Sequence, residues 1–228
     1  MGSINKNKKM ILSFIINIIV SILTLNIILM SIFRVRIIYG YEPSMIVDGV
    51  PIFSYFTTQS NIFMGIISFI FANREYLVLK KKKKDIPTNI YVLKFAATVA
   101  VSLTFFIVFS YLGFVVNGGH AALLKDNNFF FHLVIPVISI INFIVFEKTN
   151  KIKFKYIFFG VLPTFLYEIY YVSNLLITAI KDGVTPQNDW YFFVQSGIIR
   201  PIIAAPSMLL ITFLLSLIIW NLNKSKKS

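Results

Sequence analysis

Six long apolar runs occupy most of this 228-residue chain, at 10–33, 52–72, 92–114, 129–146, 156–180 and 192–220. A helix rising ~1.5 Å per residue needs roughly 20 residues to cross ~30 Å of hydrocarbon, and every run but the fourth reaches that length. In lipid, only a helix or a closed barrel satisfies every backbone N–H and C=O group. The runs are continuous, whereas barrel strands alternate, so a barrel is excluded. The sequence therefore predicts an all-α membrane protein, a six-transmembrane-helix bundle forming a single integral membrane domain over 1–228. The first run follows a basic segment, as a signal peptide would. It is too long for a signal core and ends in Ile32-Phe33-Arg34 with no small-residue cleavage site, so it is expected to stay as a helix.

A net charge of +13 and a pI near 9.8 would suit a nucleic-acid binder, but the placement of the 22 basic residues argues otherwise. With the N-terminus inside, 16 of them fall on cytoplasmic segments, including the block Lys80 to Lys84. The opposite side holds Arg34, Arg36, Lys125 and Lys181, and two more, Lys94 and Arg200, lie within spans. This asymmetry predicts that both termini are cytoplasmic, with anionic lipid headgroups as the partner of the basic face. No stacking motif accompanies the lysine run, so nucleic acid is not an expected partner. The absence of Cys removes disulfides, thiolate metal sites and cysteine nucleophiles, and two His provide no metal cluster. Neither metal nor cofactor is expected.

The outer loops, 34–51, 115–128 and 181–191, carry turn signals at Gly118-Gly119 and Asp182-Gly183. Trp190-Tyr191 is expected as an aromatic anchor at the outer interface, and His120 as a solvated loop residue. Pro136, Pro163, Pro201 and Pro206 lie inside spans. A proline in a helix removes one backbone donor, so Pro136 is predicted to free the carbonyl of His132. No internal repeat is visible, which argues against a transporter built from inverted halves.

Polar groups inside a membrane are costly, and function is sought among them. The second span holds an unbroken pentad, Thr57-Thr58-Gln59-Ser60-Asn61, in which Thr57 and Asn61 share one helix face. At ~1.5 Å per residue, Thr57 lies about 8 Å and His132 about 5 Å below the outer interface, so the two share a layer. A threonine hydroxyl attacks only when a neighbouring base takes its proton, and histidine is the usual base. The alternative is a pentad that hydrogen-bonds neighbouring helices. Glu168 near the midplane and Arg200 about two turns from the outside are the other charged candidates. They form an ion pair, or Arg200 holds an anionic ligand head; both readings stay open. Asn142, Ser173 and Asn174 add polar groups to the fourth and fifth spans. No serine-hydrolase, zinc-protease or P-loop pattern is present.

Ser54-Tyr55-Phe56-Thr57-Thr58-Gln59-Ser60-Asn61, together with Phe130-Phe131-His132-Leu133-Val134-Ile135-Pro136 and the Trp190-Tyr191 loop, resembles the bacterial six-helix relatives of the androgen-induced membrane proteins. The animal members of that family are intramembrane threonine hydrolases that cleave fatty acid esters of hydroxy fatty acids. The resemblance implies Thr57 as nucleophile and His132 as base, with Thr58 a rival for the first role. It also implies residence in the plasma membrane of a bacterium.

The expected function is a membrane-embedded lipid ester hydrolase, with membrane lipids or a lipid-like substrate as partner. Asn61 is the candidate oxyanion donor, Arg200 the candidate for a substrate carboxylate, and Glu168 and Asn174 are supporting residues. The alternative is a small-molecule or lipid binding or transport module without catalysis. Six helices and a central charge pair suit it equally.

Overall fold

The computed structural model describes residues 2–33, 46–47, 50–115, 118–125, 127–191, 193–194 and 199–224. Three long helices, α1 (Gly2–Phe33), α2 (Phe56–Leu79) and α3 (Thr88–Ile107), lead the chain. α3 runs through a wide π-turn, Val108–Leu112, into the short helices α4 (Gly113–Val115), α5 (Gly119–Leu123) and α6 (Asn127–Phe129). The fourth long segment is composite: a π-turn at Phe130–Val134, α7 (Ile135–Ile141) and a second π-turn at Asn142–Phe146. α8 (Ile157–Asp182) and α9 (Ile199–Asn223) complete the bundle. A two-residue antiparallel ribbon, β1 (Ile46–Val47) with β2 (Val50–Pro51), precedes α2.

Four helices, Asn7–Phe33, Phe56–Leu79, Thr88–Leu112 and Ile202–Asn223, are long and apolar enough to cross a membrane. Phe130–Phe146 is a shorter apolar helix. α8 has the length of a span, at 26 residues, but Tyr167, Glu168, Tyr170, Tyr171, Ser173 and Asn174 lower its apolarity. The distribution of side chains is that of a helical membrane protein. Large apolar residues such as Phe33, Phe69, Leu176, Ile180 and Ile202 face outward, while Ser13, Asn17, Ser68, Lys94, Thr98 and Ser102 are buried. Such a surface needs an apolar solvent.

Small residues set the closest helix approaches. A Cβ on Gly65 of α2 would stand 2.7 Å from Thr24 Cβ on α1, and one on Gly160 of α8 would stand 2.3 Å from Ser216 Oγ on α9. Ser21 Oγ donates to the Gly65 carbonyl at 3.0 Å across the first of these contacts. α3 is the central element, packed against α2, α7, α8 and α9.

The two ends of the bundle are closed differently. At one end the start of α1, the α2–α3 loop, the segment after Phe146 and the end of α9 meet. Lys151 Nζ bonds Asp85 Oδ2 at 2.7 Å, Trp220 Nε1 donates to the Ile152 carbonyl at 2.8 Å, and Asn223 Nδ2 donates to the Phe143 carbonyl at 2.6 Å. At the other end an aromatic cluster of Tyr55, Tyr167, Tyr171, Trp190 and Tyr191 covers the start of α2. Trp190 is therefore packed inside the bundle, 7% exposed, with its Nε1 donating to Tyr167 Oη at 3.2 Å. The expected interfacial anchor is an internal brace. His120 likewise differs from its expected solvated state. It stacks on Phe109 with centroids 5.4 Å apart and covers Gly113, where a Cβ would stand 2.1 Å from His120 Nε2.

Candidate functional site

α2 starts at Phe56 because Pro51 and the tight turn Ile52–Ser54 precede it. Its first backbone donors need outside partners. Tyr191 Oη accepts from the Phe56 N–H at 3.1 Å, and Gln59 Nε2 donates to the Phe53 carbonyl at 2.8 Å. Tyr167 Oη donates to the Ser54 carbonyl at 2.8 Å, which ties this entry to α8. The polar pentad thus begins on a fixed helix end.

Within the pentad the structural and chemical readings separate residue by residue. Gln59 closes the entry turn. Ser60 Oγ shares a hydrogen bond of 3.1 Å with Thr104 Oγ1 on α3. Asn61 Nδ2 donates to the Thr57 carbonyl at 2.7 Å and to the Phe131 carbonyl at 3.0 Å. Both amide hydrogens of Asn61 are thereby committed, so it is a helix-joining residue and not a free oxyanion donor. Thr57, half-buried, and Thr58, buried, are the two members whose hydroxyls make no hydrogen bond among the described residues.

The partner of Asn61 has a local cause. Pro136 has no N–H, and the turn before it widens, so that the Ile135 N–H bonds the Phe130 carbonyl five residues back. The Phe131 carbonyl then loses its helical donor on both counts: Ile135 has moved to Phe130, and Pro136 has nothing to give. The sequence predicted that His132 would carry the freed carbonyl. The Phe131 carbonyl, one residue earlier, accepts from Asn61.

His132 sits in the same π-turn, 7% exposed. Its Nδ1 lies 2.8 Å from the Leu123 carbonyl, the last residue of α5. A helix-terminal carbonyl has no intrahelical donor, and it can only accept, so Nδ1 carries the proton. In the neutral ring Nε2 then holds the lone pair, the form a general base requires. α2 packs against this turn.

The other predicted residues lie apart. Glu168 on α8 is half-buried and its Oε1 has no hydrogen-bond partner. Asn174 is half-buried, and its carbonyl accepts from Thr178 Oγ1 at 2.7 Å. The backbone of Arg200 lies in the first turn of α9, but its side chain lies outside the described residues, and so does the question of a pair with Glu168.

A second polar centre went unread in the sequence. Lys94 of α3, fully buried, donates to Asn17 Oδ1 at 2.6 Å and to Ser68 Oγ at 2.7 Å, and lies 3.9 Å from Glu147 Oε1. Asn17 Nδ2 reaches Glu75 Oε2 at 3.1 Å and Glu147 Oε1 at 2.8 Å. Ser13 Oγ and Asn142 Nδ2 also donate to Glu147 Oε1, at 3.2 and 2.7 Å. Four helical segments therefore converge on one ammonium and two carboxyl groups, at the end opposite the aromatic cluster. The available signal was Lys94 itself, a charge inside the third span, 92–114. Glu75 was hidden because the second span was ended at residue 72, whereas α2 continues to Leu79.

No family model matches the chain, and no curated protein or solved structure matches it.

Proposed function

We propose that the chain crosses the plasma membrane of a bacterium six times, with both termini cytoplasmic, and acts as an intramembrane lipid ester hydrolase. The substrate class is a fatty acid ester, such as an ester of a hydroxy fatty acid. The topology is supported by the 16-to-4 basic asymmetry and by the meeting of the start of α1, the α2–α3 loop and the end of α9 at one end. The single observation that carries the chemistry is the Asn61–Phe131 hydrogen bond. It seats the two uncommitted threonine hydroxyls of the pentad one turn from the contact between α2 and the His132 turn.

In this reading Thr57 Oγ1 attacks the ester carbonyl while His132 Nε2 takes its proton. Collapse of the tetrahedral intermediate expels the alcohol, which receives that proton from His132. Water, deprotonated by the same nitrogen, then attacks the acyl-threonine, releasing the fatty acid and restoring Thr57. Leu123 holds the ring in the tautomer that both half-reactions need. Thr58 is the rival nucleophile, and Arg200 is assigned to the free carboxylate of an acidic substrate. A fluorophosphonate probe tests the reading: the purified protein is labelled, and Thr57→Ala and His132→Ala abolish labelling. Labelling that persists in a Thr57, Thr58 double alanine variant contradicts it.

A second reading, a binding or transport module without turnover, is favoured by the buried Lys94, Glu75 and Glu147 centre, since intramembrane ionisable groups often line ion or substrate paths. A protein that binds lipid and cleaves none, with Thr57→Ala unaltered in binding, supports that reading.

A further inference from the structure

The hydrogen-bond inventory of Glu147 is lopsided. Oε1 accepts from Ser13 Oγ, Asn17 Nδ2 and Asn142 Nδ2, whereas Oε2, equally buried, has no partner. Beside it the side chain of Asn142 shows the mirror situation, with Nδ2 engaged and Oδ1 buried without a partner. Two acceptors without donors thus sit on two groups already joined by one hydrogen bond. Glu147 is 3% exposed and Asn142 fully buried, so bulk water does not supply one.

The π-turn brings these two groups together. On an α-helix residues five apart point about 140° away from each other. The Glu147 N–H instead bonds the Asn142 carbonyl at 3.1 Å, five residues back, and the wider turn sets both side chains on one side.

We propose that the buried centre is a proton-binding site, with the proton held on Oε2 of Glu147 and donated to Asn142 Oδ1. The acid and the amide then form a closed ring of two hydrogen bonds, Nδ2–H to Oε1 and Oε2–H to Oδ1. Charge agrees with this count: two carboxylates and one ammonium leave one uncompensated negative charge in a buried site, and one proton removes it. The charged or titratable groups around Glu147 are Lys94 and Tyr91 of α3 and Glu75 of α2; α1 contributes the neutral Ser13 and Asn17, and the end of α9 the neutral Asn223. A metal ion fits less well. Among the described residues no three His, Cys, Asp or Glu side chains are placed to hold one, and the Lys94 ammonium already occupies the centre. The proposal is independent of the hydrolase reading, because the centre lies at the opposite end of the bundle from His132.

Infrared difference spectroscopy on the full-length protein in lipid nanodiscs tests it. The expected spectrum at neutral pH contains the C=O stretch of a neutral carboxylic acid, shifted in D2O. Glu147→Gln removes the band, while Glu168→Gln keeps it. Gln reproduces the shape of the neutral acid and its hydrogen bond to Asn142, so Glu147→Gln is expected to melt as high as the parent. A spectrum without the band, a band removed by Glu75→Gln and kept by Glu147→Gln, or a Glu147→Gln variant that fails to fold overturns the proposal. So does a melting temperature that rises with sodium at constant ionic strength and loses that dependence in Glu147→Gln, which would put a metal ion in place of the proton.

Discussion

The side-chain amide of Asn61 donates a 3.0 Å hydrogen bond to the carbonyl of Phe131, which the proline at 136 has left without a helical donor. One covalent fact, a missing N–H, thus creates both the π-turn that carries His132 and the docking point for the polar face of α2. Pro136→Ala restores the donor and lets the turn close to ordinary helix. The expected result is a melting temperature at or above that of the parent, together with a loss of ester turnover on the order of 100-fold, because small displacements of a reacting group cost about that much. Unchanged turnover would separate the π-turn from the chemistry.

Asn61→Leu leaves the Phe131 carbonyl buried without a donor. The cost is expected at about 1–3 kcal/mol, read as a lowered melting temperature. The same change in a Pro136→Ala background should cost less, since the restored N–H at 136 competes for the orphaned carbonyl. A double-mutant cycle in detergent checks this, and strict additivity would contradict the shared-carbonyl account.

Lys94→Met removes the ammonium from a centre that retains Glu75 and is expected to destabilise the protein by about 3–5 kcal/mol, as removal of one partner of a buried ion pair does. Adding Glu75→Gln should recover part of that loss. Thermal melts of the single and double variants decide. A Lys94→Met protein as stable as the parent would show that the charge is not needed.

Helical class and most spans were legible in continuous apolar runs, because lipid leaves the backbone few alternatives. The ends of elements were less so. The second span was stopped at residue 72 by Asn73-Arg74-Glu75, yet Glu75 is only 2% exposed, since Asn17 supplies its partner from another helix. Hydropathy counts a residue without its neighbours, and a carboxyl group satisfied across helices therefore reads as a loop. The place of His132 at the start of the fourth helical segment was legible, but its tautomer was not, because Leu123 reaches it from a separate short helix. The burial of Trp190 was missed for a similar reason: its partner Tyr167 lies 23 residues earlier, on α8.

Gly113→Ala places a methyl group where the His120 ring now lies, 2.1 Å from its Nε2. Overpacking of this kind is expected to cost about 1–3 kcal/mol, and a Gly113→Ala, His120→Ala double variant should regain most of it. Melting temperatures of the two variants check the packing of the segment that leads to α5 and Leu123.

Because the chain has no Cys, single cysteines report topology without background. A cysteine at Lys82 should react with an impermeant maleimide only after cell lysis, and one at the exposed Gln187 should react in intact cells. The reverse pattern would invert the bundle and place His132 on the cytoplasmic side.

The central claim is that a threonine of α2 and His132 form one catalytic unit. The most direct measurement is turnover of a fatty acid ester of a hydroxy fatty acid by the purified protein, alongside Thr57→Ala, His132→Ala and their combination at matched folded fraction. The account predicts that each single variant loses nearly all turnover and that the double variant is little worse than either, as residues acting together require. Full turnover in His132→Ala, or in a Thr57, Thr58 double alanine variant, would contradict it.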